Sequence, residues 1–291
     1  MKQHFDQECL NLFDRYVHGF ISRREFLDQL ARVTASTAAA TAVFNALLPN
    51  YALAQQVAPD DPDIEVGYQA YESPQGAGKM RAYLALPKAA PAKRGGVVVI
   101  HENRGLNPYI EDVARRVAKA GFIGFAPDAL TPLGGYPGND DEGRTLQRQR
   151  DRDEMLEDFV AAVRYLQSYE RCTGKVGCVG FCYGGGVSNA LAVRIPDLAA
   201  AVPYYGRQAA AEDVPQIKAP LLIHYGELDT RVNEGWPAYQ AALDAAGKDY
   251  TMHMYPAANH GFHNDTTPRY DADAAALSWQ RTIEFFRENL V

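Results

Sequence analysis

The sequence predicts an α/β fold, a mostly parallel central sheet flanked by helices on both faces. Three observations lead there. Short apolar runs recur along the chain, among them Val97-Val98-Val99-Ile100 and residues 221–225, as expected of strands covered on both faces. Segments of helical period separate them, which is the alternation of parallel strands with crossover helices. Polar, glycine-bearing motifs follow several strands directly, where open α/β sheets place their sites.

The first 54 residues do not share that pattern. Ser22-Arg23-Arg24-Glu25-Phe26-Leu27 resembles a twin-arginine export signature and precedes a small-residue apolar stretch that leads to Ala52-Leu53-Ala54, an end resembling a signal-peptidase site. Residues 35–48 are too few to cross a bilayer, which takes about 20 apolar residues, and Asn45 interrupts them, so no permanent membrane anchor is expected. On this reading residues 1–54 are a leader and the protein is periplasmic. The alternative is a retained helical arm on a cytoplasmic protein. A long amphipathic segment precedes the arginine pair, Asp28 and Arg32 dilute the apolar region, and Ser22 with Glu25 forms a capping box that opens an ordinary helix.

Residues 55–63, with Pro59-Asp60-Asp61-Pro62-Asp63, read as a linker, and residues 64–291 as one catalytic domain. Residues 65–71 and 80–86 predict an opening strand pair turned at Gly76-Ala77-Gly78, and 97–100, 122–126, 176–179, 200–204, 221–225 and 251–255 predict the other strands. Helices are expected over 110–120, 154–167, 187–193, 235–246 and 272–289. Residues 131–143 read as a mobile rim loop that sets substrate shape, and the charged run 144–158 as a solvated helix face.

Composition narrows the partners. Lys+Arg number 29 against 36 Asp+Glu, a formal charge of −7, and nucleic-acid binding needs the opposite balance. The first 54 residues carry five basic and five acidic side chains, so the excess belongs to the remainder. With 47% hydrophobic and 11% aromatic residues the chain fills a sizeable core. Four cysteines without a Cys-x-x-Cys pair make neither a disulfide framework nor a zinc ribbon. No dinucleotide fingerprint is present, and His260-Gly261-Phe262-His263 lacks the i, i+4 spacing of a helical zinc pair; neither a cofactor nor a metal is expected.

The chemistry concentrates at three strand ends. Gly180-Phe181-Cys182-Tyr183-Gly184-Gly185-Gly186 lies between a strand and a helix, the setting of a nucleophile elbow with cysteine in the serine position. Side chains at 180 and 184 would collide with neighbouring backbone, and Gly186 is expected to let the helix approach the sheet. Cys178, on the strand, reads as a core residue. Gly226-Glu227-Leu228-Asp229 and Asn259-His260-Gly261-Phe262 follow the next two strand signals but one, in the order nucleophile, acid, histidine found in α/β-hydrolases. His260 would take the thiol proton and Asp229 would hold its tautomer. Glu227 is the alternative acid and His263 the alternative base, with a solvent-facing role expected for His263; His224 reads as structural.

These motifs, with Pro203-Tyr204-Tyr205-Gly206 and with Glu102 after the strand at 97–100, resemble the dienelactone hydrolases (carboxymethylenebutenolidases) of the α/β-hydrolase fold, from about residue 67 to 290. The resemblance implies a Cys182-Asp229-His260 triad, Glu102 as a carboxylate contacting the resting thiol, and an oxyanion hole from the backbone N–H groups of Asn103 and Tyr183. It implies hydrolysis of a lactone or small carboxylic ester through a thioester. The arginine that follows the family's histidine is missing here, where His263 and Asn264 stand. Arg104, Arg207, Arg231 and Arg269 are the candidates to bind a substrate carboxylate, with Tyr136 and Tyr205 as further substrate contacts. A thiol peptidase, a redox-responsive thiol protein or a non-catalytic binding scaffold on the same fold are the competing functions.

Overall fold

A computed structural model of the chain describes residues 5–53, 55–89 and 93–291; Ala54, at the expected cleavage site, lies outside them. Each expected strand is present: β1 (Ile64–Ser73), β2 (Gly78–Pro87), β3 (Arg94–Ile100), β4 (Ile123–Pro127), β5 (Cys172–Phe181), β6 (Ala200–Tyr204), β7 (Leu221–Gly226) and β8 (Tyr250–Tyr255). The helices are α1 (Gln7–Val17), α2 (Arg23–Val33), α3 (Thr37–Leu47), α4 (Pro108–Lys119), α5 (Asp140–Gln149), α6 (Arg152–Ser168), α7 (Tyr183–Arg194), α8 (Thr230–Asn233), α9 (Trp236–Ala245) and α10 (Ala272–Leu290).

The strands form one sheet in the order β1-β2-β4-β3-β5-β6-β7-β8. β1, β2 and β4 pair antiparallel, and every later pair is parallel. Alternation along β3 divides the core. Val98 and Ile100 join Phe159 and Leu166 of α6 and Leu191 of α7 on one face. Val97 and Val99 join Ile110 and Val113 of α4 and Phe286 of α10 on the other. Each such side chain contributes about 1.5–3 kcal/mol by leaving water. Helix starts are capped as the sequence allows: Asn107 bonds the Ile110 N–H with Pro108 at the first turn, and Asp151 and Asp271 cap α6 and α10.

Residues 131–158 depart from expectation. The anticipated rim loop ends in α5 and is tied down, since Asp140 accepts hydrogen bonds from Tyr51 at 2.7 Å and Tyr136 at 2.8 Å. The run read as a solvated face buries Arg144, Gln147, Arg150 and Asp158. Their charges are paired inside the protein: Arg150 bonds the Ala129 carbonyl and lies 2.8 Å from Asp158, and Arg144 pairs with Asp141 beneath the Tyr16 ring. Charge alone does not reveal burial here, because the groups that cover these arginines, the Tyr16 ring over Arg144 and the Ala129 carbonyl at Arg150, come from elsewhere in the chain.

The N-terminal segment folds into three helices around a core of its own, with Phe13, Phe26, Leu30, Phe44 and Leu47 buried. Tyr16 stacks on Phe26 with centroids 5.1 Å apart, and the expected Ser22–Glu25 capping box opens α2. Arg23 and Arg24 are exposed, and Arg23 lies over the Phe44 ring. No helix among the described residues is long and apolar enough to cross a membrane. The unit docks at the C-terminal ends of the strands: Gln7 bonds Asn259 at 2.6 Å, Tyr16 bonds Asp141 at 2.6 Å, and Asp14 pairs with Arg231 at 3.1 Å and Arg269 at 3.3 Å. The segment read as a linker is likewise held, Val57 N–H donating to Asp112 at 2.9 Å and Lys119 pairing with Asp61.

Candidate active site

β5 ends at Phe181 and α7 begins at Tyr183, so Cys182 carries the whole reversal of the chain, with φ 57° and ψ −110°. A non-glycine residue in that region stores about 1–3 kcal/mol of strain. The surroundings hold it there: Cys182 N–H donates to the Tyr204 carbonyl at 3.1 Å, and Gly186 N–H donates to the Cys182 carbonyl at 3.2 Å. A Cβ on Gly180 would fall on the Gly184 carbonyl, and one on Gly184 on the Ile100 carbonyl, as expected. Close approach of α7 to the sheet, however, is the work of Gly185 rather than Gly186. Gly185 touches Tyr204 and Gly206, whereas a Cβ at Gly186 would make an ordinary 3.5 Å contact with Arg207.

Asp229, the cap of α8 after β7, and His260, in the loop after β8, meet at 2.6 Å between Oδ2 and Nδ1. His260 Nε2 is buried and has no hydrogen-bond partner among the described residues. Cys182 Sγ, His260 and His18 each offer a ligand atom within 4.8 Å of the other two, and Cys182 Sγ shares a hydrogen bond with His18 Nε2 at 3.2 Å. Two imidazoles and a cysteine sulfur are a set of ligand atoms that zinc can use.

The backbone N–H of Tyr183 opens a helix and has no acceptor within it. Asn103 follows β3, which pairs with β5 so that Ile100 lies opposite Gly180; the two expected oxyanion amides therefore come from adjacent strand ends. A cavity of about 450 Å³ between α6 and α7 is lined by Cys182, Tyr183, Val187, Leu156, Arg152 and Arg207; His260 and Asp229 are not among its lining residues.

The dienelactone hydrolase family model matches residues 80–290. The chain belongs to that family. A second model, YqhI-like, matches residues 1–36. The "Putative hydrolase fragment YghX" of Escherichia coli is 62% identical over 112 residues, which is 38% of this chain and 96% of that one. A "Putative carboxymethylenebutenolidase" of Saccharolobus solfataricus is 30% identical over 72% of this chain and 94% of its own. Among solved structures, a dienelactone hydrolase-like promiscuous phosphotriesterase, P91, from metagenomic libraries superposes with a TM-score of 0.68 at 25% identity, over 79% of this chain and all of its own.

This member of the family places several expected residues differently. Among the described residues Glu102 forms no hydrogen bond to the Cys182 thiol; its carboxylate pairs with Arg104 and accepts from Asn264 Nδ2 at 3.1 Å. The short loop after β3 turns Arg104 back onto Glu102, and Asp140 neutralises the guanidinium further. Burial opposes that charge, but the two carboxylates hold Arg104 well above its ordinary value, so it is an internal ion pair rather than a substrate contact. Tyr136 is engaged with Asp140, and Arg231 and Arg269 with Asp14. Tyr205 is fully buried with φ 37°, its ring 5.0 Å from that of His260 and its hydroxyl unpartnered among the described residues.

His263 is not solvent-facing. It is buried against Phe181 and bonded to the Tyr109 hydroxyl at 2.6 Å, and burial pushes its pKa well below the usual value, which keeps it neutral. His224 bonds Tyr255 and Thr282, the structural role expected. Cys178 is a core residue whose thiol burial pushes up to about 12. Glu227 is exposed and accepts the Ala257 N–H, away from His260. Sequence reasoning missed Asp14 and His18 because they fall in the segment set apart as a leader; their i, i+4 spacing on an amphipathic helix was the available signal.

Proposed function

We propose that the protein hydrolyses lactones or small carboxylic esters through a thioester on Cys182, with His260 as general base and Asp229 as its orienting acid. The observation that carries this is the strained cysteine near an Asp229–His260 pair whose Nε2 is buried and has no hydrogen-bond partner among the described residues. Cys182 Sγ attacks the carbonyl, the Asn103 and Tyr183 amides receive the oxyanion, and the alcohol or enolate departs. Water activated by His260 then releases the acid and regenerates the thiol. A thiolate leaves as readily as it attacks, so enol esters and lactones outrank amides as substrates. Acid quenching early in p-nitrophenyl acetate turnover is expected to leave a hydroxylamine-labile acetyl group on the peptide bearing Cys182. An acetyl group on any other residue would overturn the assignment.

The cavity supports an acidic substrate. Arg152 and Arg207 line it, are exposed, and form no ion pair among the described residues. Arg207→Ala is expected to raise KM for a carboxylate-bearing aryl ester about tenfold, equivalent to about 1.4 kcal/mol, and to leave a neutral ester unaffected. Equal effects on both esters would remove Arg207 from carboxylate recognition.

A further inference from the structure

The Cys182 thiol meets a second imidazole that the triad does not use. His18 closes α1, and its Nδ1 faces Asp14, 2.7 Å from the carbonyl oxygen and 3.2 Å from the carboxylate. Its Nε2 lies 3.2 Å from Cys182 Sγ. Asp14–His18 thus repeats the arrangement of Asp229–His260, and the two rings meet edge to face with centroids 4.9 Å apart. The placement is firm. Asn103, whose backbone amide is an expected oxyanion donor, bonds the Val17 carbonyl through its side chain at 2.7 Å, so the end of α1 is tied to the catalytic loop itself.

The charges facing His18 come from both units. Asp14 lies on its own helix; Cys182, His260 and the Arg231 guanidinium, 3.2 Å from Nε2, belong to the catalytic domain, and Arg269 reaches Asp14. Burial works against the imidazolium, but the Cys182 charge and the Asp14 hydrogen bond outweigh it and hold the His18 pKa above its ordinary value. Asp14 is itself kept ionised: against its burial, His260, His18 and Arg269 hold its carboxyl well below the usual range. Arg231 opposes protonation of His18, yet like the imidazolium it favours a charged sulfur.

We propose that His18, delivered by the N-terminal helices and backed by Asp14, is a catalytic residue that takes the Cys182 thiol proton and holds the nucleophile as a thiolate–imidazolium pair, leaving His260 for the deacylating water. This rests on Cys182 being the nucleophile. The proton passes from Sγ to His18 Nε2, and the thiolate lone pair forms the S–C bond. The C–O bond then breaks with its electrons on the leaving oxygen, which takes the proton from His18. In the second half His260 Nε2 removes a proton from water as its oxygen bonds the acyl carbon. The C–S bond breaks with its electrons on sulfur, and the proton on His260 returns to His18 by way of that sulfur, which has a ligand atom of each ring within 4.8 Å. The net change is ester plus water to acid plus alcohol. Cleavage after Ala54 would remove His18, so the proposal requires α1–α3 to stay with the mature chain.

The test uses the full chain, treated with EDTA, as wild type, His18→Ala, His18→Gln and Asp14→Asn. At pH 7, iodoacetamide alkylation of Cys182 is expected to slow at least about tenfold in both His18 variants, and to approach the wild-type rate at pH 10, where thiols ionise unaided. Ester kcat/KM is expected to fall about 100-fold, the scale of a lost general base, with partial rescue of His18→Ala by added imidazole. If the alanine variant does not fold, the glutamine variant decides by the same readouts. Wild-type or faster alkylation and turnover in these variants would overturn the proposal and leave His18 as a cover on the thiol. One equivalent of zinc in the purified, untreated protein, lost on His18→Ala, would also overturn it by assigning the three donors to a metal. Undiminished turnover in Cys182→Ala would instead strike the underlying reading.

Discussion

Cys182→Ala is expected to abolish turnover of p-nitrophenyl acetate and of lactones, with kcat/KM falling at least about 10⁴-fold. Nucleophile removal has effects of that order where a triad acts as a unit, because the oxyanion hole and binding alone retain only a small remainder. The fold is expected to survive: alanine removes one sulfur from a position already held by backbone bonds to Tyr204 and Gly186. Cys178→Ala is the matched control. Its thiol is buried in the core below β5, and its loss is expected to lower the melting temperature while leaving kcat/KM within about twofold. Cys182→Ser keeps the elbow and separates geometry from acidity, since a hydroxyl holds its proton far more tightly than a thiol. Steady-state kinetics on the three proteins decide the matter, and appreciable activity in Cys182→Ala would place the nucleophile elsewhere.

Asp229→Asn is expected to lower kcat about 10³-fold or more with little change in stability. Asp229 accepts from His260 Nδ1 at 2.6 Å, which puts the ring proton on Nδ1 and leaves Nε2 as the basic atom. An asparagine amide can donate to Nδ1 and so stabilise the opposite tautomer, with a proton on Nε2 where a base is needed; the same exchange in serine-protease triads has an effect of this order. The asparagine side-chain oxygen still caps α8 as Asp229 does through the Val232 N–H, so unfolding is not the cause of the loss. The melting temperature and kcat measured together check both parts. A variant with near-normal kcat would mean that Asp229 holds α8 and not the imidazole.

The strands and the elbow were legible because their signals are local. A β-branched run such as Val97–Ile100 specifies a two-sided strand wherever it occurs, and Gly180 and Gly184 flank the cysteine because backbone passes against both. The order of Cys182, Asp229 and His260 along the chain is also a local matter, as each follows its own strand. Glu102, Arg150 and His263 were not legible in the same way. Whether a charged or polar side chain is exposed or buried depends on a partner such as Asn264, the Ala129 carbonyl or Tyr109, which the chain brings near only when it folds.

The N-terminal segment shows the same division most sharply. Its sequence carries both an export-like arginine pair and a capping box, and the pattern of Phe13, Phe26 and Phe44 suffices for amphipathic helices. Sequence alone determined an α/β sheet with a cysteine, an acid and a histidine at three strand ends, in that order along the chain. Only the tertiary structure decided which groups face that cysteine. Residues 164 positions apart, His18 and Cys182, stand 3.2 Å from each other because two independently cored units dock there. Nothing in the local pattern of either unit encodes that contact; it arises from side-chain packing, hydrogen bonds and ion pairs between them, including Asp14 with Arg231 and Arg269.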